Sequence, residues 1–225
     1  MSQHILRLAA PKSWPIKRKN LKYIAKPSPG PHKLENCITL NLILKDLLKY
    51  AETEREVKKI LNSGKVLVNK LIRKDHRFPV GIIDTIEIPS LNEYYRLLFN
   101  KKGKFILKKI LKEDAELKLS KIIGKTMIKN KKIQINLYDG GNIIVGKDEY
   151  KLGDTILTSN NEIKKHLKLE KGALIYLIGG KHVGSVGKIQ DFHKVSRSQD
   201  KIIFKIGNEL HETSKEYAFV IDKPI

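Results

Sequence analysis

The sequence predicts an α+β fold that is mainly β. In chain order we expect a basic extended amino-terminal arm, a module of two helices and a sheet, a central small β domain and a carboxy-terminal small β-barrel, with boundaries at 1–36, 37–92, 93–170 and 171–225. Three observations predict this fold. The first 34 residues hold five prolines and no acid, two helical periodicities then follow one another, and short apolar runs alternate with turn residues after them.

The charge of the chain predicts a polyanionic partner. Its 225 residues include 45 Lys and Arg against 24 Asp and Glu, a formal net charge of +21, while 40% hydrophobic residues suffice for a folded core. Such an excess opposes compaction by self-repulsion and usually reports a nucleic acid or a membrane surface as partner. No lipidation signal or basic amphipathic helix favours a bilayer, so nucleic acid is the predicted partner.

Several classes of protein are excluded by what the sequence lacks. The longest apolar runs, such as Ala173 to Ile178, are far shorter than the ~20 residues of a membrane-spanning helix. Cys37 is the only cysteine, so neither an internal disulfide nor a thiol-only metal cage can form. No signal-peptide core opens the chain. We therefore expect a reducing, cytoplasmic location and no membrane partner.

The arm is predicted to follow an extended path. Its prolines remove backbone donors and disfavour helix in the residues that precede them. Eight Lys and Arg residues give it a cationic surface that can enter a groove of a nucleic acid. Trp14 and Tyr23 offer rings that can stack on unpaired bases. A solvated, disordered tail is the alternative.

Two helices are predicted after the arm. From Ile38 to Tyr50, apolar residues recur at intervals of three and four and form one core-facing stripe. Thr53 and Glu56 have the spacing of a capping box, so a second helix begins here, and Gly64 ends it.

A basic surface is predicted beside the second helix. Strands over Lys65 to Asn69 and Asp84 to Ile88 flank a basic loop. Cations held on rigid elements can match the phosphate spacing of a structured RNA, and Arg73 and Arg77 offer forked donors. The alternative for any one of these cations is a merely solvated face.

Short strands dominate the rest of the chain. They are predicted over 94–99, 104–110, 126–129, 132–137, 142–145, 155–158, 173–178, 187–192, 201–206, 209–213 and 217–221, with a brief helix over 113–120. Turn residues such as Gly207-Asn208 separate them, and this spacing is typical of small barrels.

A glycine-rich segment near the carboxy terminus is a second candidate RNA-binding element. Neither Gly180-Lys181-His182 nor Gly187-Lys188-Ile189 places Ser or Thr after the lysine, as a Walker loop requires. The glycines permit a tight loop and close backbone approach to a partner, so the nearby cations would meet phosphate or base. A purely structural loop is the alternative.

The sequence offers no recognisable catalytic or metal site. The seven histidines are scattered, and no pair has the helical spacing with a carboxylate between that marks a zinc site. No Ser, His and acid set has nucleophile context, and the acids form no obvious catalytic pair. His32 and His76 stand among basic residues and are candidates to donate to phosphate.

Two segments resemble known modules. Residues 37–88, with Gly64-Lys65-Val66-Leu67-Val68-Asn69 after the second helix, resemble the S4 RNA-binding module. Residues 172–189 resemble a KOW motif, the two-strand unit that opens many ribosomal and transcription-factor SH3-like barrels. These resemblances imply an S4-like module and a carboxy-terminal KOW/SH3-like β-barrel.

Taken in order, the segments of the chain resemble the S4e family of small-subunit ribosomal proteins of archaea and eukaryotes. The resemblance is carried by Leu8 to Ile16, by Pro27 to Leu34 with its specific Gly-Pro-His-Lys tract, and by the two modules. The chain stops at Ile225 without the longer basic tail of eukaryotic members, so we expect an archaeal-type member.

The family resemblance implies a structural protein of the small ribosomal subunit, in the cytoplasm, without catalytic activity, cofactor or obligate metal. Its implied partners are small-subunit ribosomal RNA and neighbouring ribosomal proteins, and no homo-oligomer is expected. We hypothesise that it clamps several RNA segments together during assembly and translation. The alternatives are an RNA-modifying enzyme with an S4 module and a KOW-type transcription factor. The residues predicted to bind ribosomal RNA are Arg7, Lys12, Trp14, Lys17, Arg18, Lys19, Lys22, Lys26, His32, Lys33, Lys58, Lys59, Lys65, Lys70, Arg73, Lys74, His76, Arg77, Lys181, His182 and Lys188.

Overall fold

The structure is a computed structural model that describes residues 2–129, 132–146, 148–159, 162–193 and 200–223. The chain divides into two compact units, one of residues 1–99 with 103–118 and one of residues 100–102 with 119–225. Strands dominate both units and the helices in the described ranges are short, so the fold is α+β and mainly β, as predicted. Within those ranges no helix has the length and apolar character that crossing a bilayer requires.

The amino-terminal segment is a folded part of the first unit. Strand β1 (His4–Leu6) pairs antiparallel with β2 (Tyr23–Ala25). The Arg18 guanidinium donates hydrogen bonds at 3.0–3.3 Å to four carbonyl oxygens within residues 7–11. Arg7 donates two more, at 2.8 and 3.2 Å, to carbonyls further along the segment. The alternative of a solvated, disordered tail is therefore wrong.

The first predicted helix is shorter than expected. The chain forms β3 (Cys37–Thr39), α1 (Leu40–Leu42), a π-helical turn (Ile43–Leu47) and then α2 (Glu54–Asn62). Thr39 caps α1, because its Oγ1 accepts a hydrogen bond from the Leu42 N–H at 3.3 Å. The helix predicted over 38–50 is thus wrong at its start, where the chain is extended, and at its end, where Lys49 is left-handed with φ 58°.

Helix α2 begins where it was predicted to begin. Thr53 Oγ1 accepts a hydrogen bond from the Glu56 N–H at 3.3 Å, and the Glu56 carboxylate accepts one from the Glu52 N–H at 2.8 Å. The first bond satisfies a backbone donor that the first turn leaves unpaired, and the second ties the residue before the cap to the helix. Gly64 follows the helix with φ 72°, which confirms its predicted role as the stop.

One five-stranded sheet and one strand pair complete the first unit. The sheet contains β4 (Leu67–Val68), β5 (Leu71–Ile72), β7 (Thr85–Ile88), β8 (Glu93–Phe99) and β9 (Phe105–Lys109) in the order β5-β4-β7-β8-β9, and β6 (Pro79–Gly81) pairs with β3. The predicted β8–β9 hairpin is confirmed. Asn69 and Lys70, with φ 50° and 68°, form the tight turn between β4 and β5.

Two five-stranded sheets build the second unit. One contains β10 (Lys118–Met127), β11 (Ile133–Leu137), β12 (Asn142–Val145), β13 (Thr155–Ser159) and β14 (Glu162–Leu167) in the order β12-β11-β10-β13-β14. The other contains β15 (Leu174–Leu177), β16 (Val186–His193), β17 (Lys201–Ile206), β18 (Glu209–Ser214) and β19 (Ala218–Val220) in the order β18-β17-β16-β15-β19. Ile175, Ile202 and Phe204 are fully buried in the core of the second sheet.

The predictions for this half of the chain were partly wrong. The helix predicted over 113–120 is limited to α3 (Lys112–Glu116), and the strand predicted from residue 126 begins at Lys118. Strand β14 was missed because four of its six residues are charged or His, which hides the alternation of a half-exposed strand. The two-residue turn Gly207-Asn208 between β17 and β18 is confirmed.

The same aspartate turn is found in both units, at Asp84 and at Asp154. In each turn the backbone N–H of the aspartate donates to the carbonyl three residues earlier, and its carboxylate accepts the N–H of that residue. Each carboxylate also lies beside an imidazole, with His32 Nε2 at 2.9 Å and His166 Nε2 at 2.7 Å. Both aspartates are only 3% exposed, so the turns are buried polar anchors of their units.

Candidate nucleic-acid interface

The cations predicted on the helix–sheet module fall into an exposed set and a partly buried set. Lys59, Lys65 and Lys74 are exposed, so their ammonium groups are open to solvent. Lys70 is held instead by the buried carboxylate of Glu87, with Nζ 3.0 Å from Oε2. The Arg73 guanidinium lies 4.4 Å from the ring centre of Phe78.

Glu54, at the start of α2, lies close to three further residues that the sequence predicts to bind RNA. Its Oε1 lies 2.6 Å from Lys58 Nζ and 3.3 Å from His76 Nε2, and Arg77 lines the same cavity. The hydrogen bond from Lys58 lowers the pKa of Glu54. Burial, followed by the charge of Lys58, lowers the pKa of His76, so its imidazole is neutral at neutral pH.

The arm exposes its lysines to solvent, whereas its two arginines bind the arm's own backbone. The exposed lysines are Lys12, Lys17, Lys19, Lys22 and Lys33, and Lys26 is half-buried. The guanidinium groups of Arg7 and Arg18 are engaged with backbone carbonyls of the arm. The two arginines therefore shape the arm, and the lysines form its exposed cationic surface.

Trp14 does not have the surface position that stacking on RNA requires. The side chain is 1% exposed, and its Nε1–H donates to the Cys37 carbonyl at 2.7 Å. The expectation that Trp14 stacks on an unpaired base is corrected: the ring packs in the interior, where its one polar group is satisfied. The Tyr23 side chain remains 49% exposed.

His32 likewise has an interior position. Its side chain is 2% exposed, and its Nε2 contacts the Asp84 carboxylate. A Cβ at Gly81 would overlap the imidazole ring, so only glycine leaves room for this contact. The expectation that His32 donates to phosphate is therefore corrected to a structural contact in the aspartate turn.

The glycine-rich segment forms the connection between β15 and β16. Lys181 and Lys188 are exposed, and Gly180 adopts φ 80°, which favours glycine. The ring of His182 stacks on that of His211, with centroids 4.0 Å apart and an interplanar angle of 29°. Burial, followed by the neighbouring His211 and Lys181, lowers the pKa of His182, so the imidazole is a neutral stacking and hydrogen-bonding group at neutral pH.

Lys205 lies beside the exposed Lys188, although no local pattern in the sequence indicates this. It lies directly opposite Lys188 in the β16–β17 register, and both side chains are exposed. Gly187 permits the close approach of the strands, because a Cβ there would lie 2.8 Å from the Lys205 carbonyl oxygen. Only the register of β16 and β17 reveals that Lys188 and Lys205 face each other, and the sequence does not predict this register.

A buried lysine in the second unit was also missed. Lys121 is 5% exposed, and its Nζ donates to the carbonyl oxygens of Lys215, Glu216 and Ala218 at 3.1, 2.8 and 2.6 Å. Burial lowers its pKa to about 8. Lys121 therefore joins β10 to the segment that leads into β19, and it does not belong to the exposed cationic surface.

Replacing Lys121 by methionine is expected to change how stability depends on pH. The folded pKa of about 8 lies below the ordinary value of 10.5, so the unfolded chain binds more protons between these values. The free energy of unfolding of the wild type should therefore rise across that window by about 1–3 kcal/mol relative to Lys121→Met. Denaturant unfolding from pH 7 to pH 10 measures this difference, and parallel curves for the two proteins would contradict the assignment.

The described residues contain no metal-binding cluster. Within those ranges, no three His, Cys, Asp or Glu side chains come together in an arrangement that could hold a metal ion.

Comparison with protein families and solved structures gives a consistent result. Residues 91–165 match the family model described as Ribosomal family S4e, and residues 1–35 match the one described as RS4NT (NUC023) domain. Small ribosomal subunit protein eS4 of Archaeoglobus fulgidus is 43% identical over 230 residues, and that of Methanocaldococcus jannaschii is 42% identical over 236 residues. Each alignment covers 99% of this chain and 96% of the relative.

A solved structure extends the similarity to the fold. The crystal structure of the 30S ribosomal protein S4e from Thermoplasma acidophilum superposes with a TM-score of 0.73 at 32% sequence identity. The match covers 83% of this chain and 95% of that protein.

Proposed function

The chain belongs to the S4e family of ribosomal proteins, and from this premise we propose that it is a structural component of the small ribosomal subunit that binds ribosomal RNA. The observation that carries the proposal is the similarity over 99% of the chain to proteins named small ribosomal subunit protein eS4. The family is one of structural ribosomal proteins, so the chain is not an enzyme, and the alternative of an RNA-modifying enzyme is wrong. A KOW-type transcription factor is disfavoured by the same similarity.

The proposed mechanism is electrostatic. The net charge of +21 and the exposed lysines of both units support counterion release from the RNA as the source of affinity. Shape would decide the site within A-form helices, since their deep major groove hides the bases. Because each unit carries its own exposed cations, one chain would hold more than one RNA segment and act as a clamp during assembly and translation.

The proposal divides the chain as the sequence suggests. We interpret residues 1–36 as an RNA-binding arm, 37–92 as an S4-like module, 93–170 as a central β domain and 171–225 as a KOW/SH3-like barrel, although β8 and β9, within 93–170, belong to the five-stranded sheet of the first unit. In the last of these, Lys188 and Lys205 are like charges directly opposite one another, which destabilises a sheet unless an anion lies between them. A phosphate of the RNA is the anion proposed there. The proposed partners are ribosomal RNA and neighbouring ribosomal proteins, and the proposed location is the cytoplasmic small subunit.

Salt dependence tests the electrostatic mechanism. Each phosphate contact contributes a log–log slope of roughly −0.7 to −0.9, so about ten contacts should lower the affinity by several orders of magnitude between low and moderate salt. Titrating small-subunit ribosomal RNA with the full chain at several salt concentrations measures the slope, and large-subunit RNA of the same host is the specificity control. A nearly flat dependence would contradict the proposal.

A further inference from the structure

A cavity of about 410 Å³ opens in the first unit beside the β1–β2 pair. It is lined by His4 and Tyr23 from the strands, Glu54 from α2, and His76 and Arg77 from the basic loop. Its volume is within the range of roughly 300–1,000 Å³ typical of small-molecule sites. The cavity adjoins the cationic surface proposed to bind RNA, yet it contains a carboxylate, which binding of phosphates alone does not explain.

The polar side chains of the cavity have defined states at neutral pH. Glu54 is ionised, because the hydrogen bond from Lys58 lowers its pKa. The imidazole of His76 is neutral, because burial and then the charge of Lys58 lower its pKa. Arg77 is a cation whose buried Nε has no hydrogen-bond partner among the described residues but lies 4.0 Å from Asp75 Oδ1, within ion-pair distance. The cavity therefore combines a carboxylate, whose Oε1 already contacts Lys58 and His76 and which retains further acceptor positions, with a forked cationic donor.

The cavity also contains an aromatic surface. The ring of Tyr23 is held by an edge contact with His4, at 4.6 Å between centroids and 70° between planes. Lys22 Nζ lies over one face of the same ring, 5.5 Å from its centre, so stacking on a base would use the other face. Aromatic rings of this kind stack on unpaired bases, whose phosphates a neighbouring lysine can neutralise.

We propose that this cavity binds one unstacked guanine base of the ribosomal RNA. The proposal rests on the function proposed above and adds the class of nucleotide that the first unit recognises. Among the four bases, guanine alone presents two adjacent donors, N1–H and the N2 amino group, on its Watson–Crick edge, and these match the Glu54 carboxylate. The O6 and N7 acceptors of guanine match the forked donors of Arg77. Tyr23 supplies the stacking surface.

The charge of Glu54 makes the proposal testable, because the two possibilities predict opposite changes in RNA affinity for Glu54→Gln. If the first unit attracts RNA only through its positive charge, Glu54→Gln should strengthen binding, because it removes an anion and releases Lys58 from its ion pair. If the carboxylate accepts hydrogen bonds from guanine, the same substitution should weaken binding of guanine-containing RNA. Glutamine keeps the size of the side chain, so the fold is preserved.

The experiment compares oligouridine RNA carrying one central guanine, inosine or adenine, titrated with the full chain. The wild type should bind the guanine oligomer about tenfold more tightly than the inosine oligomer, which lacks the N2 amino group. Glu54→Gln should abolish this preference. Glu52→Gln, the same charge change at an exposed neighbour outside the cavity lining, should retain it. Arg77→Lys should keep the salt dependence but reduce the guanine preference.

Three outcomes would overturn the proposal. These are equal affinity of the wild type for all three oligomers, stronger binding of all of them by Glu54→Gln, and competition by free guanosine monophosphate at concentrations equal to the oligomer, which would assign the cavity to a free nucleotide. Each is separable from failure of the proposed function, because salt-dependent binding of small-subunit RNA is measured on the same protein preparations.

Discussion

Replacing Lys59, Lys65 and Lys74 together by glutamate is expected to weaken binding of small-subunit ribosomal RNA by about one to three orders of magnitude at moderate salt. The three side chains are exposed and lie on α2 and the segments that follow it, so the substitution should leave the fold intact. Losing three phosphate contacts should reduce the log–log salt slope by roughly 2 to 3. Titrations of wild type and variant at several salt concentrations measure both quantities.

The matched control carries the same change of charge elsewhere. Lys108, Lys112 and Lys168 are exposed but are not among the residues predicted to bind ribosomal RNA. Their replacement by glutamate should lower the affinity for this RNA much less. An equal loss in the control would show that only net charge matters, and the site assignment would be wrong. Arg73 and Arg77 are unsuitable for this test because their Nε atoms are buried, so charge reversal there would also perturb folding.

Replacing Asp84 by alanine is expected to lower the free energy of unfolding of the first unit by about 3–5 kcal/mol. The buried carboxylate accepts hydrogen bonds from the Gly81 N–H at 2.8 Å and from Asn69 Nδ2 at 2.8 Å, and it lies 2.9 Å from His32 Nε2. Alanine would leave all three groups without this acceptor in the interior. Denaturant unfolding measures the loss, and Asp46→Ala, at an exposed aspartate, should change stability by less than about 0.5 kcal/mol.

The effect of Asp84→Ala should also depend on pH. Burial acts to raise the pKa of Asp84, but the hydrogen bonds from His32 and Asn69 outweigh it and hold the pKa below the ordinary 3.8. A carboxylate with a lowered pKa contributes stability that is present above the unfolded pKa and is lost as the pH falls through the folded value. The difference between wild type and variant should therefore be constant near neutral pH and shrink below about pH 4. A difference unchanged at acidic pH would contradict the role of the ionised carboxylate.

Local sequence patterns predicted the elements whose causes are local. The cap at Thr53, the stop at Gly64 and the turn at Gly207-Asn208 depend on residues within a few positions of one another, and all three are present. The exposed lysines of the arm and of α2 also follow from local composition.

Features that depend on distant residues were not predictable in the same way. Nothing near Trp14 in the sequence indicates that its indole donates to the carbonyl of Cys37, 23 positions away. Likewise, Lys205 faces Lys188 only through the register of β16 and β17, and Lys121 meets carbonyls about 95 positions further along the chain. Amphipathic periodicity carries no information about such pairs, because it reports which face is buried and not what the face contacts.

The hydrogen bonds of Arg7 and Arg18 to the arm's own carbonyls have a consequence for assembly. Since peptide groups of the protein fix the course of this segment, we expect the proposed binding of RNA to cost it less conformational entropy than folding on a template would. A preshaped segment cannot thread through a closed RNA junction. If ribosomal RNA encloses this segment, as the proposed function allows, we expect the surrounding RNA to close after the protein has docked.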